Sequence, residues 1–125
     1  MGLMTVAVIG LGIGCAGPGQ AKRSELYFGL SRPDGGVVSS QQWEDFVDDE
    51  IVARFPDGFT VIPAEGAWRV KGEEGTRREP TRILVVIHPG DKASSVCLEA
   101  LRSAYRRRFG QQSVLRVDSP VVADF

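Results

Sequence analysis

The side chains that most often carry out chemistry in proteins are scarce in this chain of 125 residues, which has one histidine and two cysteines. A single histidine, His88, cannot build a multi-histidine zinc site. Cys97 has no neighbouring feature that would activate a thiol, so we expect a small buried side chain rather than a nucleophile. We therefore predict no metal, no cofactor and no catalytic residue.

Arginine is the residue type in this chain that is best suited to binding a ligand, because its planar guanidinium can donate two parallel hydrogen bonds to a carboxylate or a phosphate. Several arginines fall near the ends of predicted strands and helices that should meet at one end of the fold. We predict that they bind an anionic ligand or an acidic partner protein. The alternative is an ordinary solvated surface, since arginines in a last helical turn also favour the helix dipole. The predicted anion-binding residues are Arg32, Trp68, Arg78, Arg82, Arg107 and Gln112.

Length and composition indicate one globular domain. The chain has 25% charged and 42% hydrophobic residues, the balance of an ordinary folded protein. About 100 residues suffice for a single core without disulfides or metal. The net charge of −1 gives no reason to expect attraction to nucleic acid.

The N-terminal region has the features of an export signal. The apolar run from Leu3 to Gly14 is shorter than the roughly 20 residues of a membrane-spanning helix and fits the core of a signal peptide. Small residues precede Cys15, which resembles a bacterial lipoprotein signal with an acylated cysteine. A signal peptide cut near Ala16 or Ala21, or an unprocessed N-terminal strand, are the alternatives.

We accordingly predict three regions: a signal over residues 1–15, a flexible linker over 16–24 and one domain over 25–125. The mature protein is expected in the cell envelope, held by a lipid at Cys15, or secreted. Its only predicted contact with a membrane is that N-terminal anchor.

The first half of the domain reads as a strand, a helix and a second strand. Alternating apolar residues predict a strand over 25–30. Ser39 and Gln42 have capping-box spacing, and they begin an amphipathic helix that stops before Pro56. A second strand follows over 59–62, extended through 68–70 with a bulge at Gly66.

The second half reads as a strand, a helix and a strand. A polar hairpin loop is predicted over 71–79, and the apolar run over 83–87 is typical of a central strand. A helix follows, capped by Asp91 or Ser94 and ended by Gly110, and a last strand is predicted over 113–117. This order predicts a ferredoxin-like βαββαβ fold, α+β, with an antiparallel sheet and both helices on one face.

One face of that sheet would remain uncovered by helices. Exposure of such a contiguous apolar patch to water is unfavourable, so we predict that it is covered by a second copy in a homodimer that packs sheet to sheet, or else by an apolar ligand. The residues assigned to this dimer or ligand face are Tyr27, Ile62, Leu84, Val86 and Val114. The alternative function is a small cofactor-independent enzyme with a pocket at the same face and His88, Tyr105 or Glu79 as acid or base.

Several phrases of the sequence are similar to one bacterial family. They are Tyr27-Phe28-Gly29, Arg54 to Gly58 leading into Thr60-Val61, Trp68 with Arg78-Glu79, and Tyr105 with the run Phe109 to Leu115. Together they resemble the family with domain of unknown function 3574. The resemblance implies a single domain, bacterial origin and frequent export, and it brings no activity or catalytic residue with it.

Overall fold

The computed structural model describes residues 19–125, which form an α+β fold with one four-stranded antiparallel sheet and two helices. The predicted signal and Cys15 lie outside the described residues. The sheet order is β2-β3-β1-β4. Its elements are β1 Gln20–Gly29, the helix α1 with segments Ser40–Phe46, Val47–Ile51 and Val52–Arg54, β2 Thr60–Trp68, β3 Arg77–His88, α2 Lys92–Phe109 and β4 Leu115–Val122.

Strand β1 is longer than its apolar pattern predicted. It begins at Gln20, so residues 20–24, predicted to end the linker, pair with β4, and residues 22–24 also pair with β3. Lys22 pairs with His88 and Gln20 with Val122. The sequence pattern does not indicate a strand in this segment, because the buried side chain that faces the core is a serine, Ser24, rather than an apolar residue.

Helix α1 begins as predicted and then departs from α geometry. The Ser39 side chain accepts the Gln42 N–H, and the Gln42 side chain accepts the Ser39 N–H, which confirms the capping box. The segment Val47–Ile51 is a π-helical turn. Phe46 and Ile51, five residues apart, are both fully buried. They would point about 140° apart around an uninterrupted α-helix, and the wider turn brings them to the same side.

Three predicted details of the strands are wrong. Pairing between β2 and β3 continues in one register across Gly66, so there is no bulge. Strand β3 already begins at Arg77, which shortens the hairpin loop. Strand β4 does not end at residue 117 but continues through Pro120 to Val122, because the proline nitrogen faces the outer edge of the sheet.

Both helices pack on the same side of the sheet. The ring of Phe28 in β1 lies 5.4 Å from Trp43 and 5.7 Å from Phe46 of α1, and 4.6 Å from Tyr105 of α2, between ring centroids. These rings belong to a single core between the sheet and the helices. We call the other side of the sheet the open face.

The core also contains three residues that were assigned to the open face. Leu84, Val86 and Val114 are at most 1% exposed and pack in the core with Leu98 and Leu101 of α2. Their assignment to the dimer or ligand face is wrong. The unbroken apolar run of β3 does not indicate which of its residues point toward the helices. The other two residues assigned to this face, Tyr27 and Ile62, do lie on the open face.

Candidate functional site

A shallow groove of about 380 Å³ lies at the C-terminal end of α2. The groove combines guanidinium, amide and hydroxyl groups, which all can donate hydrogen bonds to an anion. We call it the arginine groove. Its lining residues are Ser103, Arg106, Arg107, Gln111 and Gln112.

Side-chain hydrogen bonds to backbone carbonyls hold the loop that forms one wall of the arginine groove. Gly110 ends α2 with φ of 68°, a left-handed conformation that glycine adopts without strain. The Gln111 side chain donates to the Ser31 carbonyl. The Arg102 Nε donates to the Val114 carbonyl over 2.9 Å. The loop is thereby tied to the chain after β1 and to α2.

The two arginines of the groove are not neutralised by the residues that the structure describes. Arg106 and Arg107 are exposed and belong to none of the salt bridges of residues 19–125. Their neighbour Arg108, in contrast, contacts Asp49 of α1 over 3.0 Å. The groove therefore presents two positive charges that are available to a ligand.

The structure brings together only some of the predicted anion-binding residues. Arg107 and Gln112 line the groove, and Arg32 follows Ser31, to which Gln111 is bonded. Arg78 instead pairs with Glu65 over 2.9 Å on the β2–β3 hairpin. The remaining two lie elsewhere, Trp68 at the end of β2 and Arg82 opposite Phe28 in the middle of the sheet.

The predicted site did not include Ser103, and Arg106 and Gln111 were expected at the same end of the fold without being assigned to the ligand. A usable signal was present for two of them, because Ser103, Arg106 and Arg107 are three and four residues apart and so share a helix face. The contact between Gln111 and Ser31 joins residues 80 positions apart, and no local pattern indicates it.

A second cleft, of about 260 Å³, lies at the opposite end of the sheet, between the end of α1 and the start of α2. Its lining includes Asp57, His88, Asp91 and Cys97. The Asp91 side chain accepts the Ser94 N–H and caps α2. Hydrogen bonds from the Ser94 hydroxyl and from its N–H hold the pKa of Asp91 below its usual value. Asp91 is thus occupied as a helix cap.

His88 belongs to a buried polar chain that the sequence did not reveal. Its Nδ1 accepts the Gly90 N–H over 3.0 Å, so the neutral ring carries its proton on Nε2 and donates to the Ser24 hydroxyl over 2.7 Å. Ser24 in turn donates to Asp118, which also accepts from Arg116.

This order of donors makes His88 unsuitable as a base for Ser24. A catalytic histidine accepts the serine proton, whereas here the serine proton is donated to Asp118. Burial lowers the pKa of His88, although the charge of Asp118 opposes the shift. The hydrogen bond from Ser24 holds the pKa of Asp118 below its ordinary value. The chain of contacts is an arrangement that stabilises the fold.

Two other candidate acids or bases also have structural contacts. The buried Tyr105 hydroxyl donates to the Gly29 carbonyl over 2.7 Å, and burial raises its pKa. Glu79 accepts the Ser31 N–H over 3.0 Å and lies against Gly29, where a Cβ atom would come within 2.7 Å of its Oε1. Glu79 remains partly exposed at the end of the open face.

Residues 19–125 contain no group of three or more histidine, cysteine, aspartate or glutamate side chains arranged to hold a metal ion. Among these residues, no helix combines the length and apolar character needed to cross a membrane.

The geometry defines a small α+β protein with an arginine-lined groove at one end of its helical layer. The chain belongs to the family described as Protein of unknown function (DUF3574), whose model matches residues 23–125. This confirms the resemblance noted in the sequence.

Solved structures with similar folds are distant in sequence. A phage SAM lyase in complex with S-methyl-5'-thioadenosine is 18% identical, with a TM-score of 0.59, covering 86% of this chain and 92% of that one. A phage SAM lyase in the apo state is 17% identical, with a TM-score of 0.60 and coverage of 99% and 98%. CutA from Synechococcus elongatus is 9% identical, with a TM-score of 0.52 and coverage of 83% and 79%. The comparison with curated proteins found no match.

Proposed function

We propose that this protein is an exported or lipid-anchored module of the bacterial cell envelope that binds an anionic ligand or partner in the arginine groove. The observation that carries the proposal is the pair Arg106 and Arg107, which lie in no salt bridge of residues 19–125 and line a groove with Gln111 and Gln112. Arginine and amide groups together suit carboxylate or phosphate oxygens.

The direction of the strands supports the use of this groove by an anchored protein. Strand β1 begins at Gln20, close to Cys15 in sequence, and ends at Gly29 near the groove. Nine steps of about 3.3 Å separate these ends by roughly 30 Å. An anchor at Cys15 would therefore leave the arginine groove facing away from the membrane surface.

Anion binding can be tested with inorganic pyrophosphate and polyphosphate as probes, by calorimetry at low and moderate salt. We expect Arg107→Glu to weaken binding by about tenfold or more, because a hydrogen bond to a charged group is worth about 1.5–3 kcal/mol. The matched control is Arg78→Glu, an arginine of the hairpin outside the groove. Equal binding by wild type and Arg107→Glu would reject the groove as the site.

Export and anchoring can be tested separately by the intact mass of the protein extracted from membranes of its native cells. A mature chain that begins at Cys15 and carries acyl mass supports the anchor. An unmodified chain beginning at Met1 and recovered from the cytosol would exclude export.

We also infer that the fold is ferredoxin-like. The order β2-β3-β1-β4, with one helix after β1 and another after β3, supports this assignment. Strands β1 and β3 are then the two central strands, and β2 and β4 are the edges.

A second candidate is a small enzyme that acts on a nucleoside sulfonium compound at the open face. The similarity in fold to a phage SAM lyase over most of both chains favours it. The open face carries two carboxylates, Glu25 and Glu79, and a phenol, Tyr27. A carboxylate and an aromatic ring are the groups that attract a sulfonium cation.

This candidate predicts that the chain binds S-adenosylmethionine or S-methyl-5'-thioadenosine in calorimetry and consumes the former in a chromatographic assay. Glu79→Gln should abolish consumption. Glu73→Gln, at an exposed residue of the hairpin loop, should leave it unchanged. The absence of both binding and turnover in the wild-type protein would eliminate the candidate.

A further inference from the structure

The open face carries an apolar surface that crosses all four strands. Cross-strand pairing places Ile62 beside Ile83, Ile83 beside Tyr27, and Tyr27 beside Leu115, which makes one continuous row. The next row contains Val85 and Val117, and Ile87 follows it. Leu115 is 57% exposed and Ile62 is 40% exposed. Apolar patches of this extent usually mark an interaction site.

The charged group in the middle of this surface is already neutralised. Glu25 lies between Val85 and Val117 in the second row. Its carboxylate accepts the Tyr27 hydroxyl over 2.6 Å and the Arg23 Nε over 2.9 Å. Burying a paired carboxylate costs much less than burying an isolated one. The centre of the open face can therefore be covered without leaving an unpaired charge.

The two edges of the sheet are poor sites for pairing with another strand. The Ala123 N–H bonds to Gly19, so alternate residues of β4, including Pro120, turn their backbone groups outward. The Leu30 N–H bonds to Pro80, and the same alternation through β3 turns the nitrogen of Pro63 in β2 outward. Proline at such positions removes a donor and obstructs strand addition. A partner is therefore expected at the face of the sheet.

The β2–β3 hairpin extends beyond the rest of the sheet. Pairing of β1 with β3 ends at Thr81, whereas pairing of β2 with β3 continues to Trp68 and Arg77. We call residues 67–78 the arm. Trp68 is 45% exposed on the same side as Ile62. A two-stranded hairpin alone is only marginally stable, and tryptophan is enriched at the centre of protein interfaces. Contact with a further apolar surface would therefore stabilise the arm.

Charge on the arm and on the open face is complementary. Near the tip of the arm, Arg69, Lys71 and Glu74 belong to no salt bridge of the described chain, which leaves two positive charges against one negative charge. Glu79 lies at the end of the open face, and among the described residues its carboxylate accepts only the Ser31 N–H. One chain thus supplies both surfaces of a contact. The arm carries an exposed tryptophan and positive charge, and the open face is apolar with the carboxylate of Glu79, unpaired within residues 19–125, at its end.

We propose that the open face is the interface between copies of this chain, with the arm of one copy packed on the open face of its partner. Each copy then offers both surfaces, as a symmetric assembly requires. The arginine groove lies at the end of a helix on the other side of the sheet, so self-association leaves it accessible. This proposal does not depend on anion binding.

The test is the molar mass of the purified full-length chain, measured by light scattering from about 1 to 100 µM. The wild-type protein should give a multiple of the 13.6 kDa chain mass. Leu115→Asp and Trp68→Ala should each raise the dissociation constant at least tenfold. The control is Val96→Asp in α2, at a residue 58% exposed against 57% for Leu115, and it should assemble normally.

Circular dichroism and urea unfolding show whether each variant is folded, and Trp68→Ala, at an exposed residue of the arm, keeps the test decisive if Leu115→Asp unfolds. A wild-type protein that remains monomeric at 100 µM would overturn the proposal. So would a folded Leu115→Asp variant that assembles like the wild type, or loss of assembly in Val96→Asp.

Discussion

The hydroxyl of Tyr105 offers a sharp test of how the core is joined to the end of β1. Tyr105→Phe removes one oxygen atom and leaves the ring in place, with Phe28 and Phe109 at centroid distances of 4.6 and 4.9 Å. The lost contact is the hydrogen bond to the Gly29 carbonyl, 2.7 Å long. The pairing of β1 with β4 reaches only Tyr27 and Leu115, so no β4 residue replaces Tyr105 as a donor there.

The magnitude follows from the burial of this hydrogen bond. Tyr105 is fully buried, and removal of a donor from a buried carbonyl costs about 1–3 kcal/mol. Because the aromatic packing remains, we expect a loss toward the lower end, about 1–2 kcal/mol in the free energy of unfolding. For a domain of this size that corresponds to a fall in Tm of roughly 5–15 °C.

Urea denaturation followed by the fluorescence of the buried Trp43 measures this loss. The control is Tyr27→Phe, which removes the hydroxyl that contacts Glu25 on the open face. At a concentration where the chain is monomeric, water can replace that contact, so we expect a loss of about 0.5 kcal/mol. If Tyr105→Phe is as stable as wild type, or if Tyr27→Phe loses as much, the assigned role of the Tyr105 hydroxyl is wrong.

Three further predictions concern the polar chain and the helix ends. Because burial lowers the pKa of His88, the unfolded chain takes up a proton before the folded chain does as the pH falls below about 6.5. The free energy of unfolding should therefore be constant above that pH and should decline below it, and His88→Gln should remove this decline. A wild-type protein that is equally stable at pH 7.5 and 5.5 would contradict the prediction. Gly110→Ala should lower the free energy of unfolding by about 1 kcal/mol because the φ angle of Gly110 is positive, and Gly110→Asn should lower it by less. Equal losses in the two variants would argue against strain from the left-handed backbone conformation. Ser39→Ala should cost about 1 kcal/mol by removing the cap of α1, whereas Ser40→Ala, next to it, should have little effect in the same thermal melts.

The elements with local signals were predictable, and those fixed by distant contacts were not. The Ser39 and Gln42 capping box and the Gly110 helix end depend on nearby residues, and the structure confirms both. The start of β1 was missed because Ser24 is buried by bonding to His88 and Asp118, residues 64 and 94 positions away.

The candidate sites show the same limit. Arg107 and Gln112 were predicted because the end of α2 is readable in the sequence. Arg78 was assigned to the same site because it was predicted in the hairpin loop over 71–79. It lies instead in β3 and pairs with Glu65, a contact that depends on the register of two strands. Leu84 and Val86 were placed on the wrong face because every residue of that apolar run fits either side.

The π-helical turn in α1 has a consequence for comparing this protein with its relatives. A π turn accommodates one residue more than the α-helical path between the same ends. A homologue that lacks one residue between Phe46 and Ile51 would still bury both side chains, with an ordinary α-helix between them. Alignments of the family should therefore tolerate a single-residue gap within Val47–Ile51, although gaps inside helices are normally penalised as errors.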